Sequence, residues 1–154
     1  MELDVARFDA ALRAGKLAGL ALEIHDAGVS IRATAELFSD YATWLKSKGR
    51  VAEAQMVSDE NDAILGALGG RMNPRLVAGF EDALRGGTLV GFAEALHRAG
   101  LKKQEIMDRF SEFAFRLRAP DRERDLDACH DVMDLLCGWC DPGARLFPDE
   151  PDAE

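Results

Sequence analysis

The chain has 154 residues, of which 47% are apolar, 31% charged and 7% aromatic, enough material to bury roughly two thirds of the unfolded surface in a core. Nineteen Lys and Arg against 28 Asp and Glu give a formal charge of −9, which disfavours a phosphate-tracking surface and with it broad binding to nucleic acid or an anionic membrane. No apolar run approaches the roughly 18 residues of a membrane span, MELDVARFDA lacks the features of a signal peptide, and three cysteines make no disulfide framework, so a soluble cytoplasmic protein is expected.

Shifting the sequence against itself by 72 residues pairs Val5 to Gly70 with Val77 to Pro142 without a gap, and 21 of the 66 pairs are identical. Ordinary composition would give about five or six. The expected organisation is therefore all-α: one globular domain over residues 1–144, made of two tandem copies (1–72 and 73–144) of about four helices each. An acidic, partly disordered tail follows over residues 145–154.

In chain order, Val5, Phe8 and Leu12 mark a short first helix that Gly15 ends, as Gly87 does in the second copy. Leu17, Leu20, Ala21 and Ile24 mark a second, closed by Ala27-Gly28 and by Ala99-Gly100, where glycine suits the left-handed cap. Gly19 and Gly91 lie inside that helix, at a cost of about 1 kcal/mol each relative to alanine, and are read as close packing positions. Thr34, Phe38, Tyr41, Ala42 and Leu45 form the stripe of a long third helix, matched by Ile106, Phe110, Phe113, Ala114 and Leu117. A long fourth helix carries Ala54, Val57, Ile64, Leu65 and Leu68, matched by Leu126, Cys129, Leu136, Cys137 and Cys140. Asn73-Pro74 and Pro120 fit helix starts. The tail has three prolines and five acids from Asp141 onward; Leu146 and Phe147 are its docking candidates.

Four sets of residues invite a chemical reading. Cys137 and Cys140 have the spacing of zinc and redox motifs, with Cys129 and His130 nearby. The first copy has Val57, Leu65 and Leu68 where the three cysteines stand, so core filling is preferred. His25 and His97 occupy paired positions in the last turn of a helix, where an imidazole can bond free carbonyls; that reading is preferred to a shared metal.

The acids Glu36, Asp40, Asp59 and Asp62 are mirrored by Asp108, Glu112, Asp131 and Asp134. Glu-xxx-Asp followed by Asp-xx-Asp on a later helix resembles the carboxylate pattern of all-α nucleotide pyrophosphatases, with Glu-xxx-Asp in place of that family's Glu-xx-Glu. The resemblance implies Mg²⁺ held between helices and a nucleotide substrate. On the wheel, however, Glu36 and Asp40 lie about 160° from Phe38, and Asp59 about 170° from the centre of the fourth stripe. A solvated face, or ion pairs to Arg13/Arg85 and Arg50/Arg122, is preferred.

The fourth set is FAEALHRAGLKKQEIMDRF, which has the form of a helix-turn-helix. Its second helix, Lys102 to Arg118, carries five bases and three acids, and the corresponding Ser30 to Ser47 carries two of each. A DNA reader would concentrate positive charge there, so a DNA-linked regulator ranks low.

Trp44 and Phe115 lie about 120° and 140° off the third stripe and, with Asp59 and Asp131, are the candidate contact surface. Asn61 stands where the second copy has Met133 and needs partners if buried. With no nucleophile–base pair, phosphate loop or cofactor motif, the expectation is a non-enzymatic protein-interaction module without a cofactor. Its type would be an adaptor or a toxin-neutralising immunity protein of bacterial kind, with a basic protein as the favoured partner and a homodimer left open. A Mg²⁺-dependent carboxylate hydrolase is the first alternative and the helix-turn-helix regulator the second.

Overall fold

The computed structural model describes residues 2–154. Among these residues there is no strand. No helix is long and apolar enough to cross a membrane. The chain divides into two compact units, Met1–Arg71 and Met72–Glu154. The first contains α1 (Val5–Ala14), α2 (Leu17–Asp26), α3 (Ile31–Ser47), α4 (Val51–Asp59) and α5 (Asn61–Gly69). The second contains α6 (Pro74–Gly86), α7 (Leu89–Arg98), α8 (Lys103–Arg116), a 3-10 turn (Pro120–Arg122), α9 (Glu123–Cys137) and a second 3-10 turn (Pro142–Ala144).

Helix ends follow local chemistry. Asp4, Ser30 and Asn73 each accept a backbone N–H of the first turn, at 3.2, 3.1 and 2.9 Å, satisfying donors that the helix leaves free. Pro74 takes the first helical position, where its missing N–H is no loss. Glu105 reaches back to the N–H of Lys102 at 2.7 Å to start α8. Gly15 and Gly87 close α1 and α6 in the left-handed conformation, at φ 65° in both cases.

Apolar faces then pack within each unit. In the first, the Phe8 ring meets Phe38 at 4.9 Å and Tyr41 at 5.0 Å, tying α1 to α3. Leu17, Ala21, Ala54 and Leu68 are sealed from solvent in the same unit. In the second, Phe80 of α6 stacks on Phe113 at 4.5 Å and meets the edges of Phe92 and Phe110 at 4.7 and 4.9 Å. Aromatic pairs of this geometry add about 0.5–1.5 kcal/mol to the area they bury.

Four expectations need correction. The fourth helix of the first unit is two helices, because the chain breaks at Glu60 (φ −86°, ψ −2°) between α4 and α5. Asn61 consequently starts α5, half-exposed, and is not a core residue. In the second unit α9 ends at Cys137, since Gly138 turns left-handed (φ 80°); Cys140 lies beyond the helix, and Cys137 and Cys140 are both half-exposed. Gly19 and Gly91 are exposed, and a Cβ at either would meet no atom within 4 Å, so neither marks a close crossing. Gly19 instead opens a groove of ≈ 480 Å³ between α1 and α2, beside Ala10, Ala11 and Gly15. The close approach is at Gly79, where a Cβ would stand 2.9 Å from the Phe92 ring.

Residues 145–154, read from composition as partly disordered, lie against α7, α8 and α9. Phe147 stacks on His97 at 4.0 Å, Ala153 is buried, and the N–H groups of Leu146 and Ala153 bond the carbonyls of Leu135 and Leu136 at 3.1 and 3.0 Å. Those carbonyls belong to the last turn of α9, where the helix has no N–H donors of its own to meet them.

These glycines separate two effects. Gly19→Ala and Gly91→Ala remove backbone freedom from the unfolded chain without a clash, and each is expected to raise stability by about 0.5–1 kcal/mol. Gly79→Ala has the same helical advantage but drives a methyl into Phe92, so its urea midpoint is expected to fall where those of the other two rise.

Candidate functional site

The best-organised polar groups sit where the third helix of each unit hands over to the next. Gly49 turns left-handed (φ 74°), and Arg50 follows as the residue before α4. Its guanidinium spans two helices: Nη1 and Nη2 reach Asp9 of α1 at 3.2 and 3.0 Å, and Nε donates to Glu53 of α4 at 2.7 Å. The Tyr41 hydroxyl donates to the same Asp9 carboxylate. In the second unit Arg122 forks onto Glu81 of α6, with both N···O distances 2.8 Å, and its Nε donates to Asp125 of α9 at 2.9 Å.

The electrostatic consequences follow from contact. The Arg50 guanidinium, then the Tyr41 hydroxyl, hold the Asp9 carboxyl below its usual range. Arg50 does the same to Glu53, and Arg122 to Glu81. Burial, then the Asp9 bond, pushes the Tyr41 phenol up. These groups are locked in their ordinary charge states and bonded to one another. Such an arrangement fixes helix positions and leaves no acid or base poised to exchange a proton.

The sequence singled out Arg50 and Arg122 but paired them with other acids. Their true partners, Asp9 and Glu81, differ by one methylene and so escaped an identity-based comparison; the preserved sign of charge at paired positions was the usable signal. Arg13 approaches Asp9 at 3.9 Å, and Arg85 pairs with Asp82.

The eight repeated acids do not form one site. Glu36 pairs with Arg32 at 3.1 Å, Asp59 accepts from Gln55 at 2.8 Å, and Asp40, Asp62, Asp131 and Asp134 are exposed. Asp108 is half-buried and accepts from Gln104 at 3.1 Å. Glu112 departs from the expected solvated face, being 6% exposed, with Arg109 Nη1 3.1 Å from both of its oxygens. Among the described residues no three His, Cys, Asp or Glu side chains come together as a metal site.

The two histidines depart from the capping role. His25 Nδ1 lies 2.7 Å from the carbonyl of Val29, beyond the end of α2, and His97 Nε2 lies 2.5 Å from the Glu150 carboxylate. Trp44 is half-buried in its own unit, stacked on Tyr41 at 6.2 Å with the Arg50 guanidinium 5.6 Å from its ring, and Phe115 is half-buried on α8. The aromatic left in solvent is Trp139, 83% exposed, directly after the left-handed Gly138. Pro142, four residues past Gly138, was the signal that the helix stops there and that Trp139 leaves its stripe.

The thiols separate by burial. Cys129 is fully buried, and desolvation pushes its thiol up to about 12. Native-state alkylation is expected to label Cys137 and Cys140 and to spare Cys129 until the protein unfolds, which mass mapping of the labelled peptides reads directly.

Glu81 gives a pH test. Its folded-state pKa is depressed, so its contribution is complete above the unfolded carboxyl value of about 4.3 and is lost as pH falls through the folded one. Glu81→Gln is expected to cost about 1 kcal/mol at pH 7, allowing for solvent screening. In thermal melts that difference should shrink as the pH is lowered below the unfolded carboxyl value of about 4.3.

No protein-family model, curated protein or solved structure matches the chain.

Proposed function

We propose that this chain is a non-enzymatic helical interaction module, made by duplication of a unit of about 72 residues, that takes a basic protein partner on the outer face of α9. The observation that carries the reading is Trp139. Large aromatics seldom stand so far in solvent, and tryptophan is the residue type most enriched among side chains that dominate binding energy. Its surroundings suggest the partner's charge. Asp127, Asp131 and Asp134 recur at helical spacing on α9, all exposed, and Asp141 follows Trp139 by two residues. An acidic ridge ending in an indole suits a basic surface with an apolar pocket, and would speed capture at low salt.

The duplication is supported by the 21 identities at one fixed offset. It is supported also by paired features such as Gly28 and Gly100 (φ 105° and 104°) and the arginine clusters of Arg50 and Arg122. The remaining groups give the two alternatives no focus: for the carboxylate hydrolase the repeated acids are dispersed, and for the DNA-linked regulator Lys103, one of the bases a DNA-reading helix would present, is buried.

The test is capture from the native source with the immobilised chain, followed by mass spectrometry. A stoichiometric protein retained at 50 mM salt is expected to weaken on Trp139→Ala by tenfold or more, the effect of a hot-spot residue worth about 2 kcal/mol. It should weaken again on raising the salt, while the melting temperature of the variant stays within a degree or two of the parent. Retention indifferent to both Trp139 and salt would overturn the assignment.

A further inference from the structure

Lys103 is the most anomalous side chain in the protein. It is 1% exposed, among the largest fully buried side chains, in company otherwise made of aromatic and aliphatic groups. Its sequence counterpart at the 72-residue offset is Ile31, which is also buried. A position that holds an isoleucine in one unit thus holds an ammonium in the other. Burying such an ion requires a close counter-ion, and an apolar side chain would serve stability at least as well.

The counter-ion comes from the segment after α9. Asp152 accepts from Lys103 Nζ at 3.1 Å and lies 3.4 Å from Arg145 of the same segment. Glu150 accepts from the backbone N–H of Lys103 at 3.0 Å, in the first turn of α8, and meets His97 Nε2 of α7 at 2.5 Å. Gln104 and Glu154 exchange two bonds, at 2.9 and 3.3 Å. The receiving surface thus offers a buried cation, the first-turn N–H of Lys103 and an imidazole, a set matched to a peptide bearing carboxylates.

The segment is held in a way that allows release. It forms no helix or strand after Ala144, its one buried apolar side chain is Ala153, and Phe147 sits at φ 51°, a strained conformation for a residue with a Cβ. Elements with few buried apolar contacts open first. Opening would strip Lys103 of its counter-ion and leave a site that demands another anion.

We propose that α7, the first turn of α8 and the end of α9 form a groove that binds an acidic peptide segment of a partner protein. Residues 145–154 are its intramolecular occupant, which the partner's segment displaces. This reading is independent of Trp139 and of the basic partner assigned to α9.

The test uses the full chain and a fluorescein-labelled peptide of the sequence RLFPDEPDAE, followed by anisotropy. Glu150→Gln with Asp152→Asn frees the groove, and apparent affinity scales with the fraction of molecules in which it is open. The double variant is expected to bind the peptide at least about tenfold more tightly than the parent, and adding Lys103→Met should abolish that gain. Circular dichroism is expected to show unchanged helix content in the double variant. Equal or absent binding in parent and double variant would overturn the proposal. So would loss of helix on neutralising the two acids, since the segment would then be a fixed part of the fold. A doubling of mass without peptide binding would also overturn it, in favour of exchange between copies of this chain.

Discussion

Each unit depends on one arginine at the entry to its last helical stretch. Apolar packing holds α1 against α3 and α6 against α8, but burial is non-directional and would tolerate a helix turned or slid by part of a turn. A guanidinium presents donors in a fixed plane, so a carboxylate on the first helix of the unit and another on the helix that the arginine precedes can both be met only in one relative placement. Arg50 imposes it through Asp9 and Glu53, and Arg122 through Glu81 and Asp125. Every buried side-chain polar atom among the described residues has a partner, so this registration leaves no unpaired group behind it.

The two clusters solve one geometric problem with different parts. In the first unit the carboxylate is the short Asp9, and it accepts one further bond from the Tyr41 hydroxyl. In the second, position 113 is phenylalanine, which offers no donor; Glu81 is one methylene longer and gives both oxygens to Arg122. Aspartate with tyrosine and glutamate with phenylalanine are coherent pairs. Exchanging only one member would leave either a buried hydroxyl without an acceptor or a carboxylate that falls short of its arginine. The paired differences carry as much information about the fold as the 21 identities do.

That distinction explains what could be read from the chain alone. Helix content and most helix ends were legible because they are local demands: Gly15 and Gly87 supply positive φ, Asn73 supplies a cap, Pro74 fits a first turn. Glu60 could not be foreseen, since it ends α4 with no glycine or proline and in a conformation close to helical. Cys140 was misplaced for a more instructive reason. Gly66 and Gly138 are paired and identical, yet Gly66 continues α5 while Gly138 turns left-handed against Asp152 and Arg145, with Pro142 to follow. An identical residue adopted a different conformation because its downstream neighbours differed. Of the surface residues, Trp44 was absorbed by Tyr41 and Arg50 inside its own unit, and Trp139 became visible only once the end of α9 was known.

The divergence after Gly138 also accounts for the chemistry at the end of the chain. In the first unit α5 continues to Gly69 and contributes Ile64, Leu65 and Leu68 to the core. In the second the helix stops early, and an irregular acidic stretch lies over α7 and α8. An apolar residue at position 103 would have left Asp152 without its buried partner, and a lysine at position 31 would find no carboxylate segment to meet it. Lys103 and Asp152 therefore belong together in physical terms: the buried ammonium is costly without its carboxylate. A contact built from charge can be exchanged for a competing charge, as a sealed apolar helix cannot, and this is the property that distinguishes residues 145–154 from the helices they lie against.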